Sequence, residues 1–162
     1  GWLGKPHESI EMNITDSDVY VAKAIAGRDQ HYFDSFTAKH LALYTGYHYG
    51  FAGFDADRDA LREDYQAEFS YSHESNLLKV LFERADIAVV NQSFLASFIE
   101  QNPKSAAQFL VSNTKDQIYQ HQALLSPDSS ISSAQLSNLL HQLRDSGQLE
   151  ALLQRYHLDM DN

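Results

Sequence analysis

Two polar positions of this sequence lie where an α/β fold would bind a ligand. The first is Asn91, which follows the apolar run 87–90, itself preceded by an amphipathic segment and an acidic turn. This order is typical of a buried, parallel strand that leads into the next helix. Ligands of open α/β sheets collect at the carboxyl ends of such strands. Asn91 is therefore the first candidate for a binding residue.

The second candidate is Tyr47-His48-Tyr49, a tripeptide enclosed by Gly46 and Gly50. This turn follows a predicted strand and precedes a predicted helical region. Glycine permits a sharp turn with exposed backbone N–H groups, and helix N-termini favour anions, so a carboxylate or phosphate would fit here. A plain strand-to-helix turn with aromatic residues at its rim explains the same spacing. It is the more frequent case, because a short glycine pair is a weak motif.

Other groups of reactive residues are interpreted as structural. His73 and Glu74 at a predicted helix start would suit acid–base chemistry, but such residues are more often exposed members of a first turn. The acidic run that starts at Asp55 imitates a calcium loop, yet Ala60 and Gln66 replace the required Gly and Glu. The sequence has no cysteine, no His-Glu-x-x-His spacing and no Gly-x-Ser-x-Gly elbow. We therefore expect no enzyme activity, no metal site and no cofactor.

The composition is that of a globular chain of ordinary domain size. Its 162 residues are 43% hydrophobic and 12% aromatic, enough to form a core. Twelve basic against 22 acidic residues give a net charge of −10. Because nucleic-acid binders normally present a basic face, we expect no nucleic-acid partner. No run of 18 apolar residues is present, which predicts no membrane-spanning helix.

Strand and helix patterns alternate along the chain, which predicts an α/β fold. β-rich runs cover residues 19–26, 40–45, 66–71, 86–90, 107–111 and 118–125. Helical patterns cover residues 55–64, 72–84 and 93–101, then a segment between Ser132 and Gly147, and finally residues 149–156. Ser132 with Gln135 resembles a capping box. Residues 1–17 contain Gly, Pro, Asn, Asp and Ser at intervals, which is typical of irregular structure.

Several segments resemble motifs of extracellular solute-binding protein family 3, the amino-acid-type periplasmic binding proteins of the type II fold. Residues 83–90, Glu-Arg-Ala-Asp-Ile-Ala-Val-Val, resemble the Gly-Arg-x-Asp-Ala helix–strand joint of that family. Residues 37–47 resemble the strand and glycine turn that open its second lobe. Residues 17–20, Ser-Asp-Val-Tyr, resemble the Ser-Asp-Pro-Tyr motif before the hinge. The leucines, Gly147 and Tyr156 of residues 139–156 resemble the closing helices.

The resemblance implies a two-lobe architecture of which this chain holds only a part. It implies a mixed, mostly parallel sheet flanked by helices in one lobe, together with hinge strands and C-terminal helices of the other. The implied division is a remnant of lobe 1 at 1–18, hinge strands at 19–26 and 118–125, lobe 2 at 38–115, and C-terminal helices returning to lobe 1 at 128–162. The opening sheet of lobe 1 has no counterpart, so we expect the C-terminal part of a longer protein. Self-association or a missing N-terminal segment would cover the lobe 1 helices.

The resemblance also implies a function, that of a non-enzymatic periplasmic protein whose signal peptide has been removed. Its lobes would close on a small polar, amino-acid-like solute and present it to the membrane permease of an ABC importer. The implied ligand-binding residues are Tyr47, His48 and Tyr49 of the turn, with Asn91 at the position of the family's acid. The family's lobe 1 arginine has no evident match, and a neutral Asn does not compensate a buried ammonium as a carboxylate does.

Alternatives remain open at this point. The departures at the charged anchors fit either a different polar solute or a degenerate site. The same fold also serves as the ligand-sensing ectodomain of membrane receptors. A third interpretation is a hydrolase that uses His48 or His73 with a nearby carboxylate.

Overall fold

The computed structural model describes residues 8–55 and 57–160. The chain divides into two compact units, one formed by residues 1–16 with 119–162 and the other by residues 17–118. We call them unit 1 and unit 2. Two long strands, β1 (Glu8–Lys23) and β5 (Phe109–Leu125), contribute residues to both units. The predicted lobe 2, residues 38–115, lies within unit 2, and the predicted C-terminal helices lie within unit 1.

Unit 2 is an α/β structure with one mixed sheet. Between β1 and β5 the chain forms β2 (Leu41–Tyr44), α1 (Arg58–Tyr65), β3 (Glu68–Ser70), α2 (His73–Leu81), β4 (Ile87–Asn91) and α3 (Gln92–Gln101), with short 3-10 helices at Gln30–Phe33, Gly50–Ala52 and Pro103–Gln108. The strand order is β3-β2-β4-β1-β5. β2 pairs in parallel with both β3 and β4, whereas β1 pairs antiparallel with β4. The predicted α/β class with a mixed sheet flanked by helices is confirmed.

The core of unit 2 covers both faces of this sheet. Because successive side chains of a strand point to opposite faces, each central strand feeds two apolar clusters. In β4, Ile87 and Val89 belong to one cluster, while Ala88 and Val90 belong to the other. This two-sided burial explains why β4 reads as a continuous apolar run in the sequence.

Unit 1 contains α4 (Ser133–Asp145), α5 (Gln148–Arg155) and the short strand β6 (Asp159–Met160). β6 pairs antiparallel with the N-terminal part of β1, which places Ile14 opposite Met160. Ile14 packs with Leu149 and Leu153 in a small apolar cluster. The predicted capping box is confirmed at the start of α4, where Ser132 and Gln135 bond each other's backbone N–H groups. The outer faces of α4 and α5 leave several large apolar side chains exposed: Leu139, Leu143, Leu152 and Tyr156.

Two predictions of local structure are wrong. Residues 8–17 were expected to be irregular, but they form the first part of β1. The apolar residues Ile10, Met12 and Ile14 alternate with polar ones, a strand period that Asn13 and the later Asp and Ser residues obscured. Residues 107–111 and 118–125 were expected to be separate strands, but one strand runs from Phe109 to Leu125. The prediction for residues 1–7 lies outside the described residues. In the part of the chain that the structure describes, none of the helices has the length and apolar character of a membrane span.

Candidate functional site

The two candidate regions of the sequence meet at one edge of the unit 2 sheet. β2, β3 and β4 run in parallel, so their carboxyl ends lie at the same edge. The turn after β2 brings the Tyr47 hydroxyl to the end of β4, where it donates a hydrogen bond to Oδ1 of Asn91 over 3.4 Å. A turn residue and a strand-end residue that are 44 positions apart thus share one polar contact.

The three turn residues play different structural roles. The Tyr49 side chain is fully buried, and its hydroxyl both accepts from the backbone N–H of Tyr44 and donates to the Tyr44 carbonyl. Burial raises the pKa of Tyr49 above its ordinary value. His48 is exposed, and its ring Nδ1 lies 3.1 Å from the carbonyl oxygen of Phe54. Of the predicted turn contacts, Tyr47 therefore offers a hydroxyl, whereas Tyr49 has only its backbone to offer a solute.

An aromatic wall, formed by Tyr44, Tyr47, His73 and Phe94, lines the same edge. The Tyr44 ring lies 4.7 Å from both the Tyr47 and the His73 ring, and the His73 ring lies 5.3 Å from Phe94, measured between centroids. The expectation of an exposed His73 is wrong, because the residue is half-buried among these rings. His73 is the first residue of α2, which Ser72 caps by accepting from the Ser75 N–H. The wall gives the site apolar faces beside its polar groups.

The buried carboxylate of Asp18 contacts Asn91 directly and reaches the turn through Gln117. Asp18 lies opposite Asn91 in the β1–β4 register and is 1% exposed. Its Oδ1 accepts from Nδ2 of Asn91 over 2.8 Å, and its Oδ2 accepts from Nε2 of Gln117 over 3.2 Å. The same Gln117 nitrogen donates to the His48 carbonyl over 2.8 Å. Asp18 and Gln117 thus join the end of β4 to the turn.

Sequence reasoning missed both of these residues as members of the site. From the sequence, Asp18 is interpreted as a turn former and as part of the motif before the hinge, and no local pattern marks Gln117. The signal that could have identified Asp18 is a charged residue directly before the apolar strand run 19–22, a position where burial demands hydrogen-bond partners.

The carboxylate of Asp116 accepts hydrogen bonds from the C-terminal end of the turn. Its Oδ2 accepts from the Gly50 N–H and its Oδ1 from the Phe51 N–H, each over 2.8 Å. The Tyr20 hydroxyl donates to the same Oδ1 over 2.6 Å. Burial, and after it the bond to Asp116, raises the pKa of Tyr20 above its ordinary value. The two backbone bonds to Asp116 fix the end of the turn against β5.

The arrangement suits the recognition of a small polar molecule. The N-termini of α2 and α3 follow the carboxyl ends of β3 and β4 almost directly, and helix N-termini attract negative charge. Asn91 and Tyr47 add hydrogen-bonding groups, and the aromatic wall adds apolar contact. Among the residues that the structure describes, no group of three or more His, Asp or Glu side chains could hold a metal ion.

Comparisons with known proteins give the family of the chain and its fold. The family model described as "ABC transporter, phosphonate, periplasmic substrate-binding protein" matches residues 34–160, which is more than half of the chain. A search of curated proteins gave no match.

Solved structures of binding proteins share the fold at low sequence identity. The substrate-binding protein of an amino acid ABC transporter is 12% identical, with a TM-score of 0.62, covering 93% of this chain and 63% of that one. A mutant of ArgBP from T. maritima is 14% identical, with a TM-score of 0.62 and coverages of 93% and 62%. The GluR0 ligand-binding core from Nostoc punctiforme, in complex with L-glutamate, is 13% identical, with a TM-score of 0.63 and coverages of 91% and 63%.

These similarities confirm the periplasmic-binding-protein fold expected from the sequence motifs. This chain spans less than two thirds of the length of each of these three structures. The sequence match, rather than the fold, gives the family: the chain belongs to the periplasmic substrate-binding proteins of phosphonate ABC transporters.

Proposed function

We propose that this chain is the solute-binding part of a periplasmic protein that feeds an ABC-type importer by two-lobe closure. The observation that carries the proposal is the contact between Tyr47 and Asn91 at the carboxyl ends of parallel strands. Ligands of α/β folds bind at this edge. Membership in a family of substrate-binding proteins supports the periplasmic location and the membrane permease as partner.

The solute of this proposal is small, polar and acidic at one end. The helix starts at α2 and α3 suit an anionic group, and the ligand-binding residues are Tyr47, His48, Tyr49 and Asn91. The family description names phosphonate, and two of the similar structures are described with amino acids or glutamate. Phosphonates and amino acids share the combination of an anionic end and a short body.

A second candidate function is that of a ligand-sensing ectodomain of a membrane receptor. The similarity to the GluR0 ligand-binding core favours it, because that protein shares the fold. A membrane-spanning helix followed by an output domain in the complete gene would decide for the receptor, and a neighbouring permease gene would decide for the importer. The hydrolase alternative draws no support from a family described as substrate-binding.

The proposal is tested by measuring ligand binding to the purified protein. A thermal-shift screen against phosphonates, amino acids and organic acids should find at least one solute that raises the melting temperature, because a ligand that binds only the native state stabilises it. Absence of any shift across the panel, confirmed by calorimetry, would contradict the binding function.

The role of Asn91 is tested with two matched variants. Asn91→Ala should weaken binding of the solute found in the screen by about tenfold, the worth of a hydrogen bond to a charged group. Asn113→Ala, at an exposed position outside the site, should leave the affinity unchanged. Without ligand, Asn113→Ala should melt near the parent temperature, whereas Asn91→Ala should melt at a lower temperature because it removes one hydrogen bond from the buried Asp18 carboxylate. Affinities are therefore compared at a temperature at which all three proteins are folded. Equal affinities for Asn91→Ala and the parent would remove Asn91 from the site.

A further inference from the structure

One side chain covers part of the edge of the unit 2 sheet. β5 is the last strand of the order β3-β2-β4-β1-β5, so it forms one edge of the described sheet. An edge strand presents a row of backbone N–H and C=O groups on which a strand of another chain can pair. Long edge strands carry the larger hazard, and β5 is a long strand.

The side-chain amide of Gln30 bonds two backbone groups of this strand. Its Nε2 donates to the Val111 carbonyl over 2.9 Å, and its Oε1 accepts from the Asn113 N–H over 2.8 Å. In a parallel ladder, a single residue of the neighbouring strand makes the same two bonds, one to a carbonyl and one to the N–H two residues further on. The Gln30 amide therefore takes the place of one residue of an added strand.

The two bonded groups lie on the outer side of β5. The carbonyl of Gln108, which directly precedes β5, accepts from the Ala24 N–H, directly after β1, over 2.7 Å. The backbone groups of a strand alternate in direction from one residue to the next. Val111 and Asn113 are an odd number of positions from Gln108, so their groups point away from β1.

The loop that carries Gln30 is fixed by other contacts as well. Phe33, the last residue of the 3-10 helix Gln30–Phe33, is buried in the unit 2 core. Asp29 caps the start of this helix by accepting from the His31 N–H over 3.0 Å. Removing the Gln30 amide should therefore uncover the edge while the loop stays in place.

We propose that Gln30 blocks the outer edge of β5 against pairing with the same edge of a second copy of this chain. Two identical edges can pair antiparallel about a two-fold axis, which gives a closed dimer. Residues 111–114 are Val, Ser, Asn and Thr, so no like charges oppose each other where two copies of this stretch would meet. The surface assigned here lies apart from the solute site and does not depend on the proposed function.

Sedimentation velocity over a concentration series tests the blocking role. The salt concentration is about 0.15 M, so that repulsion between two chains of net charge −10 is screened. Gln30→Ala should dimerise at least about tenfold more tightly than the parent, because its edge is open. Gln30→Glu loses the donor to the Val111 carbonyl but places a charge at the edge, so it should sediment as the parent does. Gln101→Ala, which shortens an exposed glutamine of α3, should also match the parent.

Hydrogen exchange then locates the contact. In Gln30→Ala, the exchange of the Asn113 amide should slow as the protein concentration rises, because the second copy supplies the acceptor that Gln30 supplied in the parent. An exchange rate that does not depend on concentration would overturn the inference.

Two results of the sedimentation experiment would also overturn the inference. If Gln30→Ala associates no more tightly than the parent, the amide only anchors its own loop. If Gln30→Glu dimerises as tightly as Gln30→Ala, loss of the bond to Val111 is the cause rather than an open edge. Gln30→Met keeps the length of the side chain and lacks the amide, so it replaces Gln30→Ala in both measurements should the latter not fold.

Discussion

Gly50 is a position where a single added methyl group should destabilise unit 2 strongly. A Cβ at this residue would lie inside van der Waals contact of the Asp116 backbone oxygen and 3.4 Å from the Asp116 Oδ1. The obstacle is backbone in the middle of β5, so no side chain can rotate away. The same two segments are joined by the bonds from the Gly50 and Phe51 N–H groups to the Asp116 carboxylate.

The expected cost follows from these contacts. Restoring normal contact requires a shift on the order of 1 Å between the turn and β5. Bonds of 2.8 Å stretched that far leave the hydrogen-bonding range. Overpacking alone costs about 1–3 kcal/mol, and weakened bonds to a carboxylate add to it, so Gly50→Ala should lower the free energy of unfolding by about 2–4 kcal/mol.

Urea unfolding of two glycine variants tests this expectation. Gly53→Ala is the control, because a Cβ there meets no atom within 4 Å, although its φ of +65° strains an L-residue. That strain should cost about 1 kcal/mol. Because only the methyl group added at Gly50 would clash with backbone, Gly50→Ala should have the clearly lower urea midpoint. Equal stability of Gly50→Ala and Gly53→Ala would show that β5 does not approach Gly50 this closely.

Two further predictions concern stability. Burial, followed by the Asp116 bond, raises the pKa of Tyr20 above its ordinary value of 10.0. Above about pH 10 the unfolded chain therefore releases a proton that the native state still holds. The free energy of unfolding should be steady below about pH 10 and fall above it. Tyr20→Phe should reduce this alkaline fall in urea titrations between about pH 8 and pH 11 without abolishing it, because the raised pKa of Tyr49 contributes in the same direction. An unaltered slope would contradict the contribution of Tyr20. Ser132→Ala should destabilise the start of α4 by about 1 kcal/mol, since it removes half of the capping box, as followed by circular dichroism. Ser133→Ala, one residue into the helix, is its control, and an equal loss in both would contradict the cap.

Elements that are buried on both faces, or that are capped by nearby residues, are predictable from the sequence. β4 is recognisable because both of its faces are covered, so an unbroken apolar run is the only pattern it can have. The position of Asn91 at the end of β4 is predictable for the same reason, because it is the first polar residue after that run. The start of α4 is predictable because its cap is local, with Ser132 and Gln135 three positions apart.

The sequence does not predict the contacts that depend on strand pairing. Asp18 and Asn91 are 73 positions apart, and only the antiparallel register of β1 with β4 places them side by side. Residues 113–117 have the polar composition of a loop, and their strand conformation follows from tertiary contacts that outweigh propensity. A pattern read along one segment carries no information about its partner strand.

The middle of β5 gives the turn its fixed shape. Gln117 holds the His48 carbonyl, and the adjacent Asp116 holds the Gly50 and Phe51 N–H groups, so one dipeptide of β5 bonds both ends of the Tyr49 segment. Tyr49 itself anchors to the backbone of Tyr44 from inside the core. The glycines allow this turn, but these bonds select one conformation of it. In the function proposed above, a turn held in this way would lose little conformational entropy on solute binding, because the Tyr47 hydroxyl and Asn91 are already in contact. Weakening the bonds from β5 should therefore lower solute affinity even though neither Asp116 nor Gln117 needs to touch the solute.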